Sequence, residues 1–266
     1  MDTDKISLLI EKVKDAELVL VGIGEECDIN KNDFENAQTY KEIVNSLGDN
    51  AEKIIPYVKR ELIETNALEV IDDKSQMYQN LLKLIGEKNY FVVSLCTDGL
   101  IEKAGFDPKR IVEPCGNYNK LQCAAKCTAD LYEIDERVSK QIEKLKEKSV
   151  NVELPVCPKC GNTLIFNNID AGSDYVEEGY LEQWQIYTKW LQGTVNRKVC
   201  IIELGVGMKF PSVIRWPFEK VAFFNQKASF FRVHSRLYQM TEEVKDKGCG
   251  IKALPDDFLK ELSNRL

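Results

Sequence analysis

Apolar residues near the start of the chain follow two successive periods. Ile6, Leu9, Ile10 and Val13 recur every three or four positions, which predicts an amphipathic opening helix over residues 3–15. From Ala16 to Gly24 (AELVLVGIG) that spacing disappears. Leu18 to Gly22 form an unbroken run ending in Gly-x-Gly, the pattern of a buried parallel strand feeding a tight turn. Helical patterning returns over 35–65, with breaks near Gly48 and Pro56, and again over 74–87. Asn89 to Leu95 (NYFVVSL) reads as a second buried strand and Arg110 to Glu113 as a short third.

Near residue 119 the character changes, and a charged helical stretch from Asp135 to Lys148 lies among four cysteines. Apolar strands resume at Thr163 to Phe166, Lys198 to Leu204 and Phe230 to Val233, with helices predicted between them over 174–192 and 212–226. Strands alternating with helices predict an α/β fold around a mostly parallel sheet. No internal repeat or low-complexity linker interrupts it. The simplest organisation is one nucleotide-binding domain, residues 1–118 and 163–266, carrying an inserted module over 119–162.

Charge and composition narrow the chemistry. Lys plus Arg number 36 against 43 for Asp plus Glu, a net charge of -7 that argues against a nucleic-acid partner. No apolar run reaches membrane-spanning length and the charged N-terminus has no signal-peptide core, so the expectation is a cytoplasmic protein without a membrane partner. Nine cysteines stand against one histidine, His234. That ratio excludes a metal site of several imidazoles and limits any Ser-His-Asp or Cys-His chemistry to the reach of His234.

Four of the cysteines are paired in sequence. Cys123 and Cys127 are separated by three residues, Cys157 and Cys160 by two, with Gly161 suited to a zinc-knuckle turn. Two such pairs can surround one tetrahedral ion, and four thiolates leave no open position, so the pattern predicts a structural zinc. The other reading is four scattered reduced thiols, which the paired spacing disfavours. At the opposite end of the argument, Gly22 and Gly24 sit where a first strand would present its C-terminal end, allowing backbone amides to approach a pyrophosphate. The expected third glycine is absent, and Glu25, Glu26, Cys27 and Asp28 follow instead.

SLCTDGL (Ser94 to Leu100) follows a strand, and IVEPCGNYNKLQC (Ile111 to Cys123) runs into the cysteine module. With the turn at 22–24, this order resembles the sirtuins. ELGVG (Glu203 to Gly207), Pro211, IRWPF (Ile214 to Phe218), Asn225 and Ala228 resemble the macrodomain-linked class of microbial sirtuins, and AGF (Ala104 to Phe106) adds to the match. The resemblance covers residues 16 to about 236. It implies a Rossmann-like domain with helices on both faces of the sheet, a zinc module, and NAD in the cleft between them. Gly22, Gly24, Asp98, Gly205, Gly207 and Asn225 occupy cofactor-binding positions of that pattern. The class is associated with ADP-ribosylation of a protein acceptor, a lipoylated carrier, where other sirtuins deacylate lysine.

Departures from the pattern fall at its reactive positions. The histidine of deacylating sirtuins corresponds to Cys115, and the asparagine of the nicotinamide pocket to Cys96. An Asn-Leu-Arg of the macrodomain-linked class reads Asn168-Ile169-Asp170, and only Asp33-Phe34-Glu35 echoes the expected arginine-bearing loop. A neutral imidazole is matched to base catalysis at pH 7, whereas a cysteine needs a stabilised thiolate. His234 reads as a packed or rim residue. The resulting expectation is NAD-dependent ADP-ribosyl transfer or NAD cleavage with Cys115, Cys96 and Asp98 as catalytic candidates. The alternative is a catalytically silent NAD or ADP-ribose sensor or redox-responsive pseudoenzyme, using Cys27, Cys96 and Cys115 as a thiol cluster. Cys200 reads as core and Cys249 as a surface turn, and Tyr180, Trp184, Tyr187 and Trp190 as a helix face packed on the core.

Overall fold

A computed structural model describes residues 3–47, 51–145 and 152–266. The chain opens with α1 (Thr3–Asp15), β1 (Leu18–Ile23), α2 (Lys31–Asn36), α3 (Gln38–Ser46), α4 (Ala51–Glu64), α5 (Ile71–Ile85), β2 (Asn89–Ser94), α6 (Leu100–Lys103) and β3 (Ile111–Val112). It continues with β4 (Gly116–Cys123), α7 (Glu136–Leu145), β5 (Leu164–Asn168), α8 (Glu178–Gln192), β6 (Val199–Leu204), α9 (Arg215–Phe224), β7 (Ser229–His234), β8 (Gly248–Lys252) and α10 (Pro255–Ser263).

The main sheet has six strands in the order β3-β2-β1-β6-β7-β8, and each pairing is parallel. Its order reverses at β1, so the C-terminal ends of β1, β2 and β6 open a crevice between diverging connections. The continuous apolar run in β1 has a direct cause. Val19, Val21 and Ile23 join the core containing Ile6 of α1, Tyr78 of α5 and Phe258 of α10. Leu18 and Leu20 join the opposite core, with Phe91 of β2, Tyr187 of α8 and Phe218 of α9. A strand covered by helices on both sides has no polar face to expose.

β4 and β5 form a separate two-stranded antiparallel sheet, with a register shift between Gly116 and Leu121. The sequence reads Thr163 to Phe166 as a further strand of the α/β alternation; it pairs instead with β4, outside the main sheet. The small sheet thus takes residues from both sides of the 119 and 163 boundaries. Tyr57 of α4 ties it to the main body by donating to the Leu164 carbonyl at 2.7 Å. The end of the expected charged helix, residues 146–148, lies outside the described residues.

β8 and α10 extend the fold beyond the last predicted strand. Cys249 lies within β8 and is half-buried, correcting its reading as a surface turn. Phe258, Leu259 and Leu262 of α10 are buried in the same core as Tyr78 and Leu81 of α5. Among the described residues no helix is long and apolar enough to cross a membrane.

Candidate functional site

The crevice holds two cavities, of 320 and 590 Å³, within the range of small-molecule sites. Glu25, Asp28 and Asn30 line both and so separate them. The smaller one is bounded by Asp98 after β2, by Tyr118 and Asp170 of the small lobe, and by Lys209 and Phe210 after β6. Lys31 and Lys59 bring positive charge to its rim.

The predicted glycines are required by close approach. A Cβ on Gly24 would lie 2.3 Å from the Gly205 carbonyl oxygen, and one on Gly22 would lie 2.4 Å from Ile214 Cγ2. These two glycines let the end of β1 press against the β6 turn and α9. Gly205 turns that loop with φ +62°, and Gly207 leaves room for the Glu25 carboxylate. Asn225, expected at a cofactor-binding position, makes its side-chain contacts with a neighbouring loop. It stands at the end of α9, and its amide donates to the carbonyls of Thr194 and Arg197, both at 3.0 Å. The side chain pins a loop and lines neither cleft cavity.

Asp28, Cys96 and Asp98 converge on the cleft floor, with their ligand atoms within 4.8 Å of one another. Asp28 accepts from the amide and the hydroxyl of Thr97, both at 3.0 Å. Asp98 is buried, accepts from the Leu100 amide at 2.8 Å and meets the Tyr78 hydroxyl at 3.5 Å. Burial first, and then the charge of Asp28, push the Asp98 carboxyl well above the usual carboxylate range. A protonated Asp98 can donate a hydrogen bond as well as accept one.

Cys96 and Cys115, the cysteines considered for general-base or redox chemistry, are held as neutral thiols by their surroundings. Both are buried, as is Cys27. Burial pushes the Cys115 thiol up to about 12 and raises Cys27 and Cys96 well above the ordinary thiol value. All three are neutral at pH 7, and Cys96 meets the Gly24 carbonyl at 3.5 Å. His234 is locked as well, because its Nδ1 accepts from the amides of Arg236 and Leu237 at 3.1 and 3.3 Å. Burial lowers its pKa, so the neighbouring Glu26 faces a neutral ring.

The four paired cysteines meet at the far end of the small sheet. Cys123 Sγ lies 3.5 Å from Cys160 Sγ, and Cys127 Sγ lies 3.5 Å from Cys157 Sγ. A tetrahedral zinc with bonds of about 2.3 Å has sulfur–sulfur edges of about 3.8 Å, so the donor set fits the ion. Gly161 turns at φ +74°, donates its amide to the Cys157 carbonyl and completes the predicted knuckle. The Asn162 amide, donating to Cys160 Sγ at 3.4 Å, holds that thiol below its ordinary pKa.

Several cleft residues carry no signal in the sequence. Tyr118 donates to Asp170 at 3.1 Å across the small lobe, and Tyr78 reaches Asp98 from the middle of α5. Neither follows from spacing. Asp28 stands in plain view after the glycine turn, but its partner Thr97 lies 69 positions away.

No protein-family model matches the chain. It is 25% identical over 174 residues to a protein ADP-ribosyltransferase of Staphylococcus aureus, covering 65% of this chain and 55% of that protein. It is 30% identical over 139 residues to a probable bifunctional ADP-ribose hydrolase/ADP-ribosyltransferase of Fusarium oxysporum f. sp. cubense, covering 48% of this chain and 23% of that protein. The chain thus spans about half the length of the first relative and about a quarter of the second. Among solved structures, a Sir2 homologue in complex with 2'-O-acetyl ADP-ribose superposes with a TM-score of 0.55 at 14% identity, covering 100% of this chain and 96% of that one. Sir2 with a p53 peptide and NAD+ gives 0.55 at 15% identity, covering 98% of each chain. At these identities the superpositions show that the chain shares the fold of the Sir2 structures along its whole length.

Proposed function

We propose that the protein binds NAD in the crevice and transfers its ADP-ribosyl group to a protein acceptor. The observation that carries this reading is Asp98, a buried carboxyl at the C-terminal end of β2 that faces a 320 Å³ cavity. A carboxamide needs one donor and one acceptor, and a protonated carboxyl supplies both. Asp98 would therefore orient the nicotinamide end, while Asp28 and Thr97 hold the loop beside it. NAD supplies an ADP-ribosyl group whose transfer releases nicotinamide. Cys96 and Cys115, in the positions that deacylating sirtuins give to polar residues, are buried and line neither cleft cavity. The similarity to two ADP-ribosyltransferases supports transfer over lysine deacylation, as does the absence of an imidazole base at Cys115.

Further parts of the reading follow from the same resemblance. Cys123, Cys127, Cys157 and Cys160 would hold a structural zinc that fixes the small lobe. Residues 119–162 act as the module that carries it, within a domain formed by 1–118 and 163–266. The acceptor would be a lipoylated carrier protein, and a reducing cytoplasm would keep the remaining thiols unpaired. The test is incubation of the purified protein with NAD and candidate acceptors, quantifying free nicotinamide and protein-bound ADP-ribose. Turnover in the wild type that falls at least tenfold in Asp98→Ala is the expected result. Tight NAD binding with no nicotinamide release in any condition would replace the enzyme with a sensor.

A further inference from the structure

Glu25 occupies an unusual position for a carboxylate at the mouth of a dinucleotide crevice. Its Oε2 accepts from the Gly207 amide at 3.3 Å and its Oε1 from the Lys209 amide at 3.1 Å. Two backbone amides converging on one anion form the kind of concavity that binds phosphate. The fit depends on Gly207, since a Cβ there would lie 2.4 Å from Glu25 Oε1. The adjacent Glu26 turns away and accepts from the Ser235 amide at 3.1 Å. Glu25 also lines both cavities, at the junction that any ligand spanning them must cross.

We propose that the amides of Gly207 and Lys209 form a phosphate subsite held, in the free protein, by the carboxylate of Glu25, and that this residue sets the affinity for phosphate-bearing ligands. A ligand phosphate takes the two amides only after Glu25 swings out. Glu25 is half-buried, on a flexible side chain, so it can leave without unfolding the loop. Lys209, whose own amide is one of the two donors, lines the smaller cavity and offers a positive charge to the incoming group. The ligand class is a pyrophosphate ester; its identification as NAD rests on the proposed function.

The test is calorimetric titration of wild type, Glu25→Gln and Glu25→Ala with ADP-ribose and, separately, with inorganic pyrophosphate at fixed ionic strength. Glu136→Gln serves as the control for net charge, because the Glu136 side chain is exposed and lines neither cavity. Removing the internal anion is expected to tighten both ligands at least tenfold in Glu25→Ala, with Glu25→Gln between and Glu136→Gln unchanged. Equal affinities in wild type and Glu25→Ala overturn the proposal and leave NAD binding intact. Pyrophosphate tightening without ADP-ribose binding in any variant supports the subsite and removes the NAD reading. Failure of every variant to bind either ligand overturns both. If Glu25→Ala melts too early to titrate, Glu25→Gln against wild type decides.

Discussion

The carboxylate of Asp28 binds Thr97 twice, taking its amide and its hydroxyl at 3.0 Å each. This pair joins the loop after β1 to the loop after β2 and so fixes the floor of the crevice. Hydrogen bonds to a charged group contribute about 1.5–3 kcal/mol, and a buried partner left unpaired costs more than the bond alone. Asp28→Ala is therefore expected to lower stability by about 2–3 kcal/mol in urea unfolding. Asp28→Asn keeps one acceptor, loses the charge beside Asp98, and should lose less. The Asp98 carboxyl should titrate lower in Asp28→Asn, because the like charge that raises it is gone. An unchanged urea midpoint in Asp28→Ala would show that the two loops are held elsewhere.

The main sheet is legible in the sequence because burial on both faces writes its strands as apolar runs. β1, β2 and β6 show this plainly. β8 is hidden because GCGIK offers two glycines and an edge position, with no run and no alternation. β5 reads as a strand, but period alone says nothing of its neighbour, and its pairing with β4 is a tertiary fact. The paired cysteines are local and hence visible. Thr97 with Asp28, Tyr78 with Asp98, and Glu25 with the amides of 207 and 209 are contacts between distant segments that no spacing encodes. Asn225, carried over by resemblance, is used to hold two carbonyls of a neighbouring loop.

The cysteine quartet should hold one zinc per chain. Structural zinc sites contribute folding energy directly, and their ligands are bound as thiolates. Metal analysis of purified protein is expected to find close to one equivalent. Cys123→Ser should reduce that content and lower the melting temperature, since Cys123, at the end of β4, is one of the two buried ligands. A wild-type protein free of zinc after expression with excess metal would make the cluster four reduced thiols.

Thiol accessibility separates the cluster from the cleft. Cys127 and Cys160 are exposed, whereas Cys27, Cys96, Cys115 and Cys200 are buried. After chelation, a thiol reagent at pH 8 should modify Cys127 and Cys160 within minutes. Modification of the buried four should wait for unfolding, because a reagent cannot reach a sulfur enclosed in the core. Peptide mapping that finds Cys115 modified as fast as Cys127 in the folded protein would return it to the list of reactive residues.

Glu113 makes the stability of the protein depend on pH in a direction opposite to that of a salt-bridged acid. Its Oε2 accepts from Asn117 at 3.0 Å, while its buried Oε1 has no partner among the described residues. Burial, and then the nearby charge of Glu102, push its carboxyl well above the usual range. The unfolded chain releases this proton near pH 4.3, but the folded chain retains it to a higher pH. Between those two values the unfolded state binds fewer protons, so each rise in pH favours unfolding. The contribution from protonated Glu113 is complete below the unfolded pKa and is lost as pH rises through the folded one. Glu113→Gln keeps the neutral shape and removes the titration. Its stability relative to wild type should increase steadily from pH 4 to pH 7, measured by urea unfolding at each pH. A difference that stays flat over that interval would mean that Glu113 is ionised in the folded protein.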